Sequence, residues 1–419
     1  MARLVHSREV RLREAERVAA RIIADVRRRG DRALIAWTRK LDGVRISAAD
    51  LAVSSEEIGE ARRAADPKLV RALRRAARNI RAVARRQIPA EFSIETERGI
   101  EVGEWVRPLG RVACYVPGGR FPLPSTVLMS VIPAQAAGVR EIAVTSPRPA
   151  PAVLVAADIL GIRTIYRLGG AQAIAAFAYG TETIPRADKI VGPGNRYVAA
   201  AKKLVAGDCG IDFVAGPTEL VIIGDRGHPE WVAWDLIAQA EHDPDALALL
   251  LTASRPFARA VQQALRGICA SGSIAERTLE GRCGIIVARN LESAAEISND
   301  LAPEHLMLLD GTAQWFKKIT SAGSIFLGGA SAVAAGDYAT GGNHILPTSG
   351  AARMRGGLTA ADFTKVIGYQ RAGLGGLARL RPTLTTLART EGLEGHARSI
   401  EVRFERAARQ ALESREAKK

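Results

Sequence analysis

The sequence predicts an α/β fold built from two Rossmann-like, parallel-sheet modules in a bilobed subunit with helical N-terminal and C-terminal extensions. Three observations support this prediction. Short apolar runs alternate with helical patterns from about residue 110, the alternation restarts near residue 219, and the segments outside it have helical periodicity. Such alternation is typical of parallel sheets covered by helices.

The chain begins with amphipathic helical patterns over 7–41 and 56–87. Residues 1–90 hold 23 Lys and Arg against 11 Asp and Glu, whereas the rest of the chain holds 36 against 33. The arginines are not interleaved with aromatic residues, and they match no zinc-finger, basic-zipper or RNP-like pattern. We therefore expect solvated basic helix faces and no nucleic-acid partner.

The first module has the rhythm of a βαβ array. Its predicted strands are "RVACYV" (111–116), "EIAVTS" (141–146), "RTIYRL" (163–168) and "DKIVG" (188–192). Its predicted helices cover 124–137, 150–160, 171–178 and 196–206.

The second module follows the segment "GPTE" (216–219), which is the candidate crossover between the two. Its predicted strands are 219–225, 247–253, 283–289, 305–310 and 324–329, and its predicted helices are 229–242, 255–268 and 291–299. After residue 330 the chain becomes glycine-rich, and a helical tail is predicted from about 360, interrupted at "RAGLGGLARLRP" and "RTEGLEGH". This tail looks separate from both sheets and is a candidate for packing on a partner subunit.

The composition predicts a cytoplasmic protein with no membrane partner. Apolar runs such as "LALLL" are far too short to span a bilayer, and the charged start "MARLVHSREV" has no apolar signal region. The four cysteines form no CxxC pair, which favours buried thiols over a disulfide framework.

Three histidines lie near other polar side chains that could share a site with them. Gln239 and His242 are three residues apart near a helix end, so they could bind a metal together or His242 could simply interact with the helix dipole. His344 lies in a glycine-rich loop seven residues after Asp337, where it could approach a ligand or belong to a loop held by turns.

His396 follows Glu391 by five residues. The glycines between them could break a helix and let both side chains converge, although an ordinary junction between helices is the alternative.

Glu304 and His305 are adjacent polar residues at the start of the apolar run "HLMLLD". Two such side chains must be solvated, hydrogen-bonded or used in chemistry. At the end of a strand both can line one cleft, but this is the amino end, whereas open α/β sheets bind ligands at the carboxyl end.

Two glycine motifs were tested as nucleotide-binding loops. "GLGGLA" (373–378) follows no apolar strand, so it is rejected as a dinucleotide fingerprint. "VGPGN" (191–195) lies between a strand and a helix, where its glycines could let the backbone approach a phosphate or form only a tight turn.

The sequence resembles the histidinol dehydrogenase family from about residue 8 to 405. The resemblance rests on blocks in order along the chain: "RPLGRVACYVPGG", "STVLMSVIPAQAAGV", "GGAQAIAAFAYGTE", "KIVGPGN", "AGPTEL", "QAEHDPDA", "PEHL", "AGDYATGGNHILPT" and "EGLEGHA".

The resemblance implies a homodimeric enzyme with NAD and one Zn²⁺ per subunit, acting on L-histidinol. It implies zinc ligands at Gln239, His242, Asp337 and His396, the last supplied by the C-terminal tail of the other subunit. It implies NAD contacts at Tyr115, Gln172 and Asn195. The substrate contacts it implies are Thr218, Gln239, His242, Glu304, His305, Asp337, Glu391 and His396.

The resemblance also implies catalytic roles for Glu304 and His305. His305 would be the general base in the oxidation of histidinol to histidinaldehyde and would serve again in the second oxidation to histidine. Glu304 would activate water so that the aldehyde is hydrated between the two hydride transfers. Each histidinol would then yield two NADH.

The resemblance further implies a domain organisation. Residues 1–114 and 218–358 would form a first α/β domain on the zinc and substrate side, with the helical N-terminal segment. Residues 115–217 would form a second α/β domain on the NAD side, and 359–419 would be the helical tail.

Two residues depart from the common family pattern: Thr218 stands where many members have Ser, and Gly342 stands where Thr is common. The alternative functions are a related zinc and NAD dehydrogenase for another small polar alcohol, a zinc hydrolase in which Glu304 activates water without a redox step, and a nucleic-acid-binding protein.

Overall fold

The computed structural model describes residues 2–118, 122–269 and 274–416. The described chain separates into two compact units. The larger unit contains the chain up to Ile88 together with Pro108–Phe363. The smaller unit contains Pro89–Arg107 together with the chain from Thr364.

The larger unit begins with helices α1 (Ala2–Arg29), α2 (Asp31–Asp42), α3 (Ser55–Ala64) and α4 (Pro67–Ala84). Each of the two helices predicted here is a pair of helices. Gly30, with φ of 52°, separates α1 from α2, and Asp66 starts α4 by accepting a hydrogen bond from Lys68 N (2.7 Å) ahead of Pro67.

Two antiparallel strands of the smaller unit follow, β1 (Phe92–Glu97) and β2 (Ile100–Pro108). The chain then forms the first parallel sheet, and its strands are β3 (Arg111–Tyr115), β4 (Glu141–Thr145), β5 (Ile165–Tyr166), β6 (Lys189–Val191) and β7 (Gly210–Ile211). The helices between these strands are α5 (Pro124–Ala136), α6 (Pro151–Ile159), α7 (Gly170–Tyr179) and α8 (Arg196–Val205).

The first sheet has the order β5-β4-β3-β6-β7, and all its pairs are parallel. The chain moves outward from β3 through β4 to β5 and then returns to add β6 on the other side of β3. The connections therefore diverge between β3 and β6, and a crevice for a ligand opens at the carboxyl ends of such strands.

Helices α1–α4 pack on the first sheet and its helices. Val70, Leu73 and Ile80 of α4 share one buried core with residues of α5 and α6, whereas Ile22 of α1 and Leu34 of α2 share another with α7 and α8. The domain boundaries, 1–114 with 218–358 and 115–217, stay a prediction.

The second parallel sheet has the order β10-β9-β8-β11-β12. Its strands are β8 (Glu219–Ile223), β9 (Leu247–Thr252), β10 (Gly284–Val287), β11 (His305–Leu308) and β12 (Ser324–Leu327). Its helices are α9 (Pro229–Ala240), α10 (Arg255–Ile268), α11 (Ile274–Arg282), α12 (Leu291–Leu301) and α13 (Val333–Tyr338), with 3₁₀ turns at Ala313–Lys318, Ala351–Arg353 and Ala360–Phe363. The prediction of an α/β fold with parallel sheets is therefore confirmed.

The smaller unit combines a three-stranded sheet with two helices. Strand β13 (Thr364–Ala372) joins β1 and β2 in the order β1-β2-β13, and helices α14 (Leu374–Thr390) and α15 (Glu394–Glu416) follow. The prediction that the tail is helical from residue 360 is wrong for residues 364–372. The predicted interruption at "RAGLGGLARLRP" is also wrong, because α14 continues through Gly375, Gly376 and Pro382.

Candidate active site

The candidate active site lies at the amino ends of β8, the central strand of the second sheet, and its neighbour β11. His305 pairs in parallel register with Leu220, so Thr218 and Glu219 lie beside Glu304 and His305. The glutamate–histidine pair therefore lies at the amino end of its strand, as its place in the sequence indicated.

Glu304 is buried, with 7% of its surface exposed, and one of its carboxylate oxygens accepts two hydrogen bonds. Its Oε2 accepts from the Thr218 hydroxyl (2.5 Å) and from Glu219 N (2.9 Å). Burial raises the pKa of Glu304 to about 8, although these two hydrogen bonds oppose the rise. Both bonds end on Oε2.

His305 is a buried imidazole with its ring orientation fixed from one side. Its Nδ1 lies 3.2 Å from the carbonyl oxygen of Glu219, and a carbonyl can only accept, so Nδ1 carries the proton. Its Nε2 lies 3.8 Å from Asp337 Oδ1. Burial lowers the pKa of His305, which keeps the ring neutral and leaves Nε2 as a proton acceptor.

Thr218 connects Glu304 to Gln239. Gln239 is buried at the C-terminal end of α9, and its amide Nε2 donates a hydrogen bond to Thr218 Oγ1. His242 follows in the exposed turn after α9, which ends at Ala240 and not at 242 as predicted.

Asp337 is the carboxylate nearest His305 Nε2 and lies on the short helix α13. Burial raises the pKa of Asp337, and the imidazoles of His305 and His242 oppose that rise. His344 contacts the backbone of Asp337. Its Nδ1 lies 2.9 Å from the Asp337 carbonyl oxygen, and its Nε2 lies 3.2 Å from the Thr126 hydroxyl. His344 and Asp337 thus meet, but through the backbone of Asp337.

Gln239, His242 and Asp337 have the donor chemistry of a catalytic zinc site. An amide oxygen, an imidazole and a carboxylate are all ligands that zinc accepts, and a desolvated carboxylate such as Asp337 favours a nearby cation. Within the described part of the chain, no group of three His, Cys, Asp or Glu side chains is placed to bind a metal ion. Of the implied zinc ligands in the larger unit, only His242 and Asp337 are of these four residue types, because Gln239 is an amide.

Glu391 and His396 belong to the smaller unit. Glu391 ends α14, His396 lies in the first turn of α15, and both side chains are exposed. His396 N donates to Leu393 O (2.9 Å), so the glycines around it form a tight junction between two helices.

The three residues implied as NAD contacts lie around the carboxyl ends of the first sheet. Tyr115 ends β3, and its hydroxyl accepts a hydrogen bond from Gly170 N (3.2 Å). Gln172 on α7 donates to Asp42 Oδ2 (3.1 Å), and Asn195 caps α8 by accepting from Tyr197 N and Val198 N.

Two buried polar atoms at this edge fit a bound dinucleotide. Among the described residues, Gln172 Oε1 and the hydroxyl of Ser146, which follows β4, have no hydrogen-bond partner. Buried polar atoms without partners are uncommon in folded proteins, and a polar ligand is one way to satisfy them. The residues at this edge of the first sheet therefore fit NAD.

Two residues that contact the predicted site residues were not themselves predicted from the sequence. Glu219 supplies a backbone N–H to Glu304 and a carbonyl to His305, and its own Oε1 accepts from Ser349 N (3.2 Å). Its place directly after Thr218 in "AGPTEL" was the available signal. Asp42, the partner of Gln172, had no signal in the sequence, because the two lie 130 residues apart.

A buried acid–imidazole pair on one parallel sheet and an open strand switch point on the other define an α/β enzyme. The chain belongs to the histidinol dehydrogenase family: the model for "Histidinol dehydrogenase" matches residues 5–404. The resemblance predicted from the sequence is therefore confirmed.

Relatives and a solved structure agree with this assignment. The chain is 44% identical over 418 residues to the histidinol dehydrogenase of Methanopyrus kandleri, with 96% of this chain and 97% of that protein covered. It is 47% identical over 396 residues to that of Methanothermobacter thermautotrophicus, with 92% of each covered. A crystal structure of histidinol dehydrogenase from Elizabethkingia anophelis is similar with a TM-score of 0.89 at 39% identity, covering 94% of this chain and 92% of that one.

None of the helices in the described ranges is both long enough and apolar enough to cross a bilayer.

Proposed function

We propose that the chain oxidises L-histidinol through L-histidinaldehyde to L-histidine, with NAD as the electron acceptor in both steps. The observation that carries the proposal is the buried pair Glu304 and His305, with His305 Nε2 directed toward Asp337. The sequence family and its NAD-dependent chemistry support the same reaction.

His305 takes the proton of the substrate hydroxyl in the first step. Its Nδ1–H is held by the carbonyl oxygen of Glu219, so the free Nε2 is the basic atom. A neutral imidazole is suited to this role near neutral pH. When bound, NAD would supply the acceptor for the hydride that leaves the carbinol carbon.

Glu304 serves the hydration of the aldehyde that follows. A carboxylate whose pKa is raised to about 8 is, once ionised, a stronger base than an exposed glutamate, so this step is favoured as the pH rises toward 8. Thr218 and Glu219 occupy Oε2, so Oε1 removes the proton from water. His305 then acts again as base when the hydrate gives up the second hydride.

Gln239, His242 and Asp337, with His396 of a second copy of the chain, would hold the zinc ion. When bound, zinc would supply a Lewis acid that could bind nitrogen donors of the substrate. Thr218, Glu304, His305 and Glu391 would complete the substrate contacts. Tyr115, Gln172 and Asn195 would contact NAD at the first sheet.

The assembly that follows from this proposal is a cytoplasmic homodimer in which each tail, 359–419, completes the site of the other subunit. The two parallel sheets would be the Rossmann-like modules, with residues 115–217 on the NAD side and 1–114 with 218–358 on the substrate side. Nucleic acid and membranes are not partners in this proposal.

The test is an assay of the purified protein with L-histidinol and NAD, with and without a chelator. We expect two NADH for each histidine formed and loss of turnover when zinc is removed. Reduction of NAD by a different small alcohol only would favour the related dehydrogenase. Absence of NAD binding would overturn the proposal and favour a zinc hydrolase.

A further inference from the structure

The loop between β6 and α8 is fastened to a buried ion pair. Lys202 on α8 contacts Asp212 Oδ1, and the two side chains are 1% and 0% exposed. This pair lies behind the segment Gly192–Asn195, which ends at a proposed NAD contact.

Both backbone polar groups of Gly192 are bonded to this pair. Gly192 N donates to Asp212 Oδ2 (2.8 Å), and Lys202 Nζ donates to Gly192 O (3.0 Å). The second carboxylate oxygen of Asp212 accepts from Phe213 N (2.6 Å). The pair therefore binds Gly192 through the N–H of one peptide group and the carbonyl of the next.

Gly192 in turn is pressed against the end of β3. Its φ is +116°, a conformation that favours glycine, and a side chain there would clash with the carbonyl oxygen of Tyr115. The same loop ends at Asn195, the cap of α8. Gly192 thus lies between the end of β3, at Tyr115, and the start of α8, at Asn195.

A contribution to the free energy of unfolding does not by itself explain the Lys202–Asp212 ion pair. Burying two charges removes both from water, and a well-packed apolar pair is often as stable. Its presence is better explained by the geometry it imposes, because an ammonium and a carboxylate can bind a carbonyl and an N–H at once.

We propose that Lys202 and Asp212 are positioning residues that hold the Gly192–Asn195 loop in the conformation that binds NAD. This inference rests on the proposed function, since NAD is the ligand of that function. Neither residue needs to touch the dinucleotide for the effect, because both act through Gly192.

The test is binding of NADH to zinc-loaded protein, followed by steady-state kinetics. Lys202→Met should weaken NADH binding and raise KM for NAD by about tenfold, with KM for histidinol and kcat changed by less than about threefold. The double variant Lys202→Met with Asp212→Asn removes the unpaired buried charge and should show the same selective loss. Lys203→Met is the matched control, because Lys203 is exposed and pairs with Glu16.

Two results would overturn the inference. One is NADH affinity within about twofold of the unaltered protein in the folded double variant. The other is rapid amide hydrogen exchange at Gly192 in the ligand-free, unaltered protein, since the pair would then not hold the loop. If the unaltered protein itself bound no NADH, the proposed function would fail instead.

Discussion

At the scale of single residues, Thr218 connects the groups that matter most. Its hydroxyl accepts a hydrogen bond from Gln239 and donates one to Glu304. The structure uses only the hydroxyl in these two bonds, so the exchange of Ser for Thr at this position conserves them. Without that hydroxyl, two buried polar side chains would lose a partner.

We expect Thr218→Val to lower kcat/KM for histidinol by about 10- to 100-fold, corresponding to the loss of roughly 1–3 kcal/mol of buried hydrogen bonding. Thr218→Ser, which keeps the hydroxyl, is the matched control and should stay close to the unaltered enzyme. Steady-state kinetics of both variants would measure the difference. Equal activity of the Val and Ser variants would mean that the connection is not used.

The sequence indicated Glu304 and His305 by their adjacency before an apolar strand, but it could not indicate their partners. From the sequence, His344 could approach a ligand or belong to a loop held by turns. Its ring is half-buried and lies between the Asp337 carbonyl and Thr126, 218 residues away. Burial lowers the pKa of His344 to about 4, so it is neutral at the site. Such contacts depend on tertiary packing, which local pattern does not encode.

At the scale of elements, the buried strands were the easiest to predict. Strands β3, β8 and β11 are continuous apolar runs because helices cover both faces of a parallel sheet. Strand β1 was missed because it is exposed throughout and has no apolar pattern. Helix α14 has glycine at position 376 in its first turn because the Cβ of any other residue there would lie 2.5 Å from the Gly99 carbonyl oxygen.

Helices α9 and α13, which carry Gln239 and Asp337, are joined by Asp235. This carboxylate on α9 accepts a hydrogen bond from Val333 N at the start of α13, and burial raises its pKa to about 6. A raised pKa means that the folded state prefers the protonated form. The stability from Asp235 is therefore fully present below pH 3.8 and is lost as the pH rises through about 6.

We expect Asp235→Asn to increase the free energy of unfolding at pH 7.5 by on the order of 2 kcal/mol, because the amide keeps an acceptor for Val333 N and carries no charge. The gain should shrink toward zero near pH 4. Urea unfolding at both pH values would measure it. Asp300→Asn, an exposed change of charge on α12, is the control. A gain that was the same at both pH values would contradict this account of Asp235.

At the scale of the whole molecule, the segment that carries most of the basic excess is distinct from the segments that carry the proposed catalytic and zinc-binding residues. The basic excess is concentrated in residues 1–90, which form the helices packed on the first sheet and contribute only Asp42, the partner of Gln172, to the proposed sites. Glu391 and His396 are exposed on the smaller unit. The resemblance assigned them to a site shared between subunits, and their exposure is compatible with that proposal.

Mixing subunits tests the shared site. One subunit carries His396→Ala and the other His242→Ala, so a heterodimer would have one intact site only if each site takes His396 from the other chain. We expect purified heterodimers to recover about half of the unaltered activity, whereas each homodimeric variant should be inactive. Heterodimers as inactive as the parents would indicate sites built within one subunit.

The central claim is that Glu304 and His305 serve successive steps on one bound substrate. The most direct measurement is single-turnover formation of NADH from histidinol, counted per active site. The account predicts two NADH for the unaltered enzyme, none at a comparable rate for His305→Asn, and one for Glu304→Gln, with histidinaldehyde left in the site. Two NADH from Glu304→Gln at the rate of the unaltered enzyme would contradict it.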